Sequence, residues 1–390
     1  MRATLRPIFF SLACLLLLSA CSKRPESSVD GVVRIGMAAP LTGPQSDIGL
    51  DIQRGIQLGV DDVNASGLVI GGKPVKFELL SEDDEANSTK ATTVAQKLVD
   101  SGVVAVVGHF NSGSSIPASR IYADAGIPQV SPGTTAPRYT QQGYATTFRL
   151  VANDDQQGPA MAAFAVNTLK AKRVAVIDDS TAYGQGLAAA FAARAKAAGV
   201  EIVAQEHTTD KDTDFTAILT NIKSKNPQYV FFGGIYSQGA PMAKQMKALG
   251  LDAPLLGGDG IQTPKFIEVA GSAGEGTYAS IPGLPKDRMP GGRAFLEKFQ
   301  ARFHRPVELF APMGYDAVFV IADAMKRANS TQPARFLPEL KKTRIQGVTG
   351  PIEFDEHGDL KNGPITINVV KDGKWVAEET VIPPAATAQP

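Results

Sequence analysis

The chain has 390 residues, 43% of them hydrophobic, with 39 basic and 39 acidic side chains and zero formal net charge. That is globular composition, long enough for two or three domains of ordinary size. Balanced charge leaves no footprint for nucleic acid, whose binding domains carry basic patches, so nucleic acid is not an expected partner.

In chain order, the first 21 residues stand apart. Arg2 and Arg6 form a short basic region, "IFFSLACLLLL" is an apolar stretch of signal-peptide length, and small residues follow. The stretch is too short for a transmembrane helix, which takes ~20 apolar residues, and no other segment qualifies. Residues 1–20 therefore read as a signal peptide and the mature protein as exported. The ending "LSAC" resembles a bacterial lipobox, which implies cleavage before Cys21, acylation of its sulfur and a membrane-anchored periplasmic lipoprotein. An ordinary signal peptide cut nearby, releasing a soluble periplasmic protein, is the alternative. Cys14, the other of two cysteines, leaves with the signal, so no internal disulfide is expected. Residues 21–30, rich in Ser and charge, read as a polar tether.

From residue 31 the pattern alternates. "VVRIGMAAP" reads as a strand, "DIGLDIQRGIQLGVDDVNASG" as a helix, "KFELLSEDD" as a strand and "NSTKATTVAQKLVDSG" as a helix capped by Asn87 or Ser88. "VVAVVGHF", the helix "SSIPASRIYADAG" and "IPQVSPG" continue it. The same grammar restarts after "FRLVAND" with "DDQQGPAMAAFAVNTLKAK", "RVAVIDD", "GQGLAAAFAARAKAAG", "EIVAQEHT", "FTAILTNIKSKN", "YVFFGG", "PMAKQMKALG" and "PLLGGDG". Two further helices, "RAFLEKFQARF" and "APMGYDAVFVIADAMKRAN", precede hairpin-like strands, "GPIEFDEHGDL" and "GPITINVVKDGKW"; the tail 382–390 reads as disordered. Strands alternating with helices of this length predict two α/β units, each a doubly wound parallel sheet.

Ligands bind beyond the carboxyl ends of such strands. That rule gathers the polar turns "APLTGP", "GHFNSGSS", "SPGTTAP", "DDSTAYGQG", "GGIYSQG" and "GGDG", and two facing units would place them in one cleft. Catalytic and metal signatures are weak. The four histidines show no ligand spacing, and there is no nucleophile elbow or phosphate loop. A nucleophilic Ser112 would need a base that His109 cannot be assumed to supply. "YGQGLA" lacks the abutting strand of a dinucleotide fingerprint. "DKDTD" lacks the glycine and glutamate of a calcium loop and reads as helix capping by Asp212 or Thr213. "SEDDE" reads as a solvated strand end. No cofactor or metal is expected.

The turn "NSGSS" leaves two readings open. Ser112 and Ser114 lie just before a helix whose free amides and positive dipole end attract a carboxylate, with Thr134 or Thr135 completing the cradle. Plain helix capping by Ser112 or Ser114 is the other.

Collectively, "APLTGP", "GHFNSGSSIPAS", "SPGTTAP", "YGQGLA", "GGDG" and "GPIEFDEHGDLKNG" resemble, in order over roughly residues 31 to 376, the type I periplasmic binding proteins of ABC importers. The similarity is greatest to the leucine/isoleucine/valine-binding proteins. The resemblance implies two lobes, residues 31–150 with 283–346 and 151–282 with 347–381, joined by crossovers near 149–153, 280–285 and 345–350. It assigns the ligand carboxylate to Ser112 and Thr135, and the ligand ammonium to the Gly133 carbonyl, Thr135 and Asp259. Tyr183 is to close over the ligand, and the "NSGSS" turn becomes an anion cradle. Ile48, Asn111, Ile235 and Tyr236 fall on cleft and side-chain-pocket positions. Three departures reshape that pocket: Ile48 replaces an aromatic residue, Ile235 a tyrosine with Tyr236 adjacent, and Asp259 a longer glutamate. Ala86 and Asn111 stand where the compared relatives carry a disulfide.

The expected function is thus capture of an amino acid, branched-chain or otherwise apolar, by a monomer that closes like a hinge and serves an ABC permease and ATPase. It is expected not to be an enzyme. Two alternatives remain at this level: a sensor for a signalling partner, which neighbouring permease genes would argue against, and a binder of carboxylates lacking the amine.

Overall fold

The computed structural model describes residues 31–382. The signal peptide, the tether with Cys21, and residues 383–390 of the tail lie outside the described residues.

The chain opens with β1 (Val32–Ala39), α1 (Ser46–Ala65), a small hairpin of β2 (Val69–Ile70) and β3 (Lys73–Pro74), β4 (Lys76–Asp83), α2 (Ser88–Asp100), β5 (Ala105–Gly108), α3 (Ser112–Asp124), β6 (Gln129–Ser131), α4 (Arg138–Gln141) and β7 (Thr147–Arg149). It continues through α5 (Asp154–Asn167), β8 (Arg173–Asp178), α6 (Ala182–Ala197), β9 (Glu201–His207), α7 (Thr216–Ser224), β10 (Tyr229–Gly233), α8 (Tyr236–Ala248), β11 (Leu255–Gly257), α9 (Pro264–Ala270) and β12 (Tyr278–Pro282). Then come α10 (Gly292–Phe303), α11 (Ala311–Ala328), α12 (Pro333–Leu340), β13 (Arg344–Gln346), β14 (Pro351–Glu353), β15 (Ile365–Lys371) and β16 (Lys374–Val381).

Two sheets result. The first runs β4-β1-β5-β6-β7, all parallel, and the second β16-β15-β12-β11-β10-β8-β9, parallel except for β15 and β16. Both parallel portions share one winding, in which the chain reverses direction across the sheet beside its first strand: between β1 and β5 in one lobe, and between β8 and β10 in the other. That is where open α/β sheets bind ligands. Continuous apolar runs such as "AVVG" and "YVFFG" are buried on both faces, as parallel strands covered by helices must be.

α11 returns to the first lobe and packs on α1 at close range. A Cβ on Gly55 would lie 2.0 Å from the Ala311 carbonyl oxygen, so glycine lets the two backbones approach. Asp51 of α1, fully buried, accepts the N–H groups of Glu308, Leu309, Phe310 and Ala311 at 2.9–3.1 Å. A carboxylate at the amino end of α11 satisfies amides the helix leaves unpaired.

Several details differ from the sequence reading. Pro351–Glu353 pairs with Arg344–Gln346, not with the last strands; β15 and β16 form their own hairpin through Asp372 and Gly373, both at positive φ. "SEDDE" is not simply solvated, because Asp84 is fully buried on His109. Neither Asp212 nor Thr213 caps α7: Asp214 accepts the Thr216 N–H, while Asp212 holds Thr208 and Thr209. Among the described residues no helix is long and apolar enough to cross a membrane, and no group of His, Cys, Asp and Glu could hold a metal ion.

Candidate ligand-binding cleft

The turn that follows β5 is fixed from behind. His109 is buried with Nδ1 2.6 Å from Asp84 Oδ2 and Nε2 3.1 Å from the Tyr122 hydroxyl. Its carbonyl oxygen accepts hydrogen bonds from Ser131 and Thr134, and the Phe110 carbonyl accepts another from Thr134. The turn after β6 is thereby docked on the turn after β5. His109 is committed to that scaffold and does not approach Ser112 as a base, which removes the nucleophile reading.

α3 begins at Ser112, two residues earlier than expected, with Asn111 at its cap position making no side-chain cap bond. Ser112 and Ser114 lie inside the first turn, where the leading amides of Ser112 and Gly113 have no intrahelical partner. Ser112 Oγ accepts the Ala136 N–H at 3.2 Å, leaving its own hydrogen free to donate. Ser114 Oγ is buried without a partner. Neither serine caps the helix; Ser112 lines the pocket between the lobes and Ser114 does not.

Across from this cluster lies Asp259, 3% exposed, at the end of β11. The Tyr183 hydroxyl donates to Asp259 Oδ1 at 2.9 Å and accepts the Gly260 N–H at 3.0 Å; Gln157 Nε2 donates to the same carboxylate oxygen at 2.8 Å. The glycines of "GGDG" make room for this, since a Cβ on Gly258 would sit 2.7 Å from the Tyr183 hydroxyl oxygen. Burial pushes the Asp259 carboxyl up to about 6. Asp154, 0% exposed, is bridged to it by the same Gln157, and burial together with the Asp259 charge pushes it up to about 8.

Phe110, Asn111, Ser112 and Gly133 from one lobe and Tyr183, Ile235, Asp259 and Gly260 from the other line a tight pocket of ≈ 20 Å³. Gly133 is required here, because a Cβ would lie 2.5 Å from the Phe110 ring. Phe110 packs edge-on against Phe310 at 4.9 Å between centroids. Behind Phe310 a larger crevice of ≈ 740 Å³ opens between the lobes, with Ile267, Ile281, Leu309, Met313 and Trp375 on its walls.

Three residues assigned from the sequence lie off the pocket wall. Ile48 is buried in the core on α1. Thr135 is buried beside Asp154, its carbonyl accepting the Asp154 N–H at 2.9 Å and its hydroxyl without a partner. Tyr236 reaches across the cleft instead: its hydroxyl lies 2.5 Å from both the Pro44 carbonyl oxygen and Asp47 Oδ1, linking the lobes. Asn111 lines the pocket and donates to Gln45 at 2.8 Å. Three further residues escape a sequence reading: Gln157 and Asp154, hidden in the polar start of α5, and Arg149. Arg149 is wholly buried, pairs with Asp359 at 2.6 Å and donates to the Thr134 and Ala136 carbonyls. It ties the segment where the chain first leaves one lobe to the segment of its last return.

Residues 32–374 match the family model described as periplasmic binding protein. This chain belongs to that family. The periplasmic binding protein described here is 38% identical over 332 residues to an amino acid binding protein of Pseudomonas aeruginosa, covering 84% of this chain and 87% of that one. It is 34% identical to the leucine-, isoleucine-, valine-, threonine- and alanine-binding protein of the same organism, covering 86% and 89%. Among solved structures, the branched-chain amino acid transporter substrate-binding protein of Streptococcus pneumoniae in complex with isoleucine matches with a TM-score of 0.82 at 30% identity, covering 90% of this chain and 100% of that one. The proteins it is similar to are substrate-binding proteins, not enzymes.

Proposed function

We propose that the protein captures an amino acid, branched-chain or otherwise apolar, between its lobes and presents it to an ABC permease and ATPase in the membrane. One observation carries this reading: a pocket with Ser112 and the α3 amides on one wall and the buried Asp259 on the other. Neutral donors and a helix amino end favour a carboxylate, while a buried carboxylate lacking a cation calls for one. An α-amino acid supplies both charges a few ångströms apart, and Phe110 and Ile235 give its side chain apolar walls. In this reading Thr135 and the Gly133 carbonyl add to the ammonium site, and Tyr183 fixes the carboxylate that faces it. The lobes close as a hinge, with Tyr236 fastening the closed form. Exported as a Cys21-acylated lipoprotein and acting as a monomer, the receptor stays at the membrane. Mass spectrometry of the small molecule that co-purifies with the protein tests this: an apolar amino acid is expected, and a carboxylic acid without an amine would overturn it.

A further inference from the structure

The polar layer does not end at Asp259. Gln157 Nε2 donates to Asp259 Oδ1 at 2.8 Å and to Asp154 Oδ1 at 3.2 Å, so one amide group links two buried carboxyls. The Thr135 hydroxyl is close enough to hold the Asp154 pKa down, yet neither Thr135 Oγ1 nor Asp154 Oδ2 completes a well-formed hydrogen bond. Gln157 Oε1 is likewise buried and unpartnered. The neighbouring cation, Arg149, is spent elsewhere: Nε on Asp359, and its terminal nitrogens on Thr134, Ala136, Pro137 and Thr140. The groups that act electrostatically on Asp154 are Asp259 beyond β11, Tyr183 on α6, and Arg149 on β7. Burial and the two carboxylates push the Tyr183 phenol far above its ordinary range, so it stays neutral.

Two anions at this depth, hydrogen-bonded to no cation, cannot both stay ionised at low cost. A proton shared within the pair lowers that cost, and the pair then titrates as a unit.

We propose that Asp154 is a positioning residue of the ligand-ammonium site: tied to Asp259 by the Gln157 amide, it holds a proton on its unpartnered Oδ2 while the site is empty, and an incoming ammonium displaces that proton to solvent. The proposal rests on the amino-acid reading above. When the proton leaves, the Asp154 carboxylate accepts a hydrogen bond from the Thr135 hydroxyl beside it. The site therefore exchanges one cation for another. A ligand without the amine brings no replacement charge and leaves the proton in place.

The test is isothermal titration of the full chain with leucine and with its 2-oxo analogue, in buffers of different ionisation enthalpy, from pH 6 to pH 8. For the wild type, leucine is expected to release close to one proton per molecule bound near pH 7, and its affinity to rise by up to tenfold per pH unit. The 2-oxo acid is expected to release none. In Asp154→Asn the leucine profile should flatten between pH 7 and pH 8, where Asp259, pushed up to about 6, is already ionised. A purely structural role for Asp154 would lower affinity equally at every pH and keep the slope; that result overturns the proposal. Leucine binding by the wild type without proton release overturns it as well, whatever the variant does. Tight binding of the 2-oxo acid and none of leucine would instead bring down the amino-acid reading, and this proposal with it.

Discussion

Replacing Tyr236 by Phe removes a single oxygen and keeps the buried ring. In the closed protein that hydroxyl lies 2.5 Å from Asp47 Oδ1 and the Pro44 carbonyl, both on the opposite lobe. When the lobes part it loses both and is solvated. A hydrogen bond to a charged group contributes ~1.5–3 kcal/mol, but Asp47 is only half-buried, and exposure reduces such terms toward ~1 kcal/mol. The loss falls on the closed state, so ligand dissociation should speed up about fivefold while association changes less than twofold. Stopped-flow measurement of both rates with leucine checks this. An unchanged dissociation rate, or a loss of affinity carried by slower association, would refute the assignment of Tyr236 as a fastener and return it to the pocket wall.

Asp259→Asn removes the buried charge that faces the ligand amine and should cost ~2–5 kcal/mol of amino-acid binding, read by calorimetry, with the unliganded fold retained. Asp359→Ala strands the buried Arg149 guanidinium. Its carbonyl partners remain, so the destabilisation should fall near the lower end of the ~3–5 kcal/mol for breaking a buried pair, measured by chemical denaturation; a loss below ~1 kcal/mol would mean the pair is not a structural tie. The unliganded protein should lose stability as pH rises from about 4 to 8. Asp154 is pushed up to about 8, and Asp259 and Asp179 up to about 6. Across that window the folded chain keeps protons the unfolded chain has released, so folding weakens as they are stripped. Melting temperatures at pH 5 and pH 8 read this directly, and a stability maximum at the alkaline end would contradict it.

Much of the fold was legible because its signals are local and periodic. Alternating apolar runs and amphipathic stretches marked most strands and helices, and the rule for strand carboxyl ends brought Ser112, Gly133, Tyr183 and Asp259 to one cleft. What escaped depends on partners distant in sequence. Asp84 looked solvated until His109, 25 residues on, was found to bury it. Asp359 lies in a stretch whose pattern reads as a hairpin strand, whereas its role is set by Arg149, 210 residues earlier. Asp154 and Gln157 read as an ordinary polar helix start, since only the second lobe's Asp259 gives them a function. Tyr236 was one residue out of place for the pocket, and a one-residue step at the start of α8 turns the side chain toward Pro44 and Asp47. The hairpin of β15 and β16 was recoverable in principle, because "KDGK" carries the Asp-Gly signal of a two-residue turn.

The proposed ligand bears both a carboxylate and an ammonium and is held between Ser112 and Asp259. A thermal-shift panel of the twenty amino acids, each with its matching 2-oxo and unsubstituted acid where available, addresses that most directly. Stabilisation by an apolar amino acid, and much weaker stabilisation by the same carbon skeleton without its amine, is the predicted result. Stabilisation only by acids lacking the amine would contradict it, and Asp259 would then serve as an acceptor for a hydroxyl.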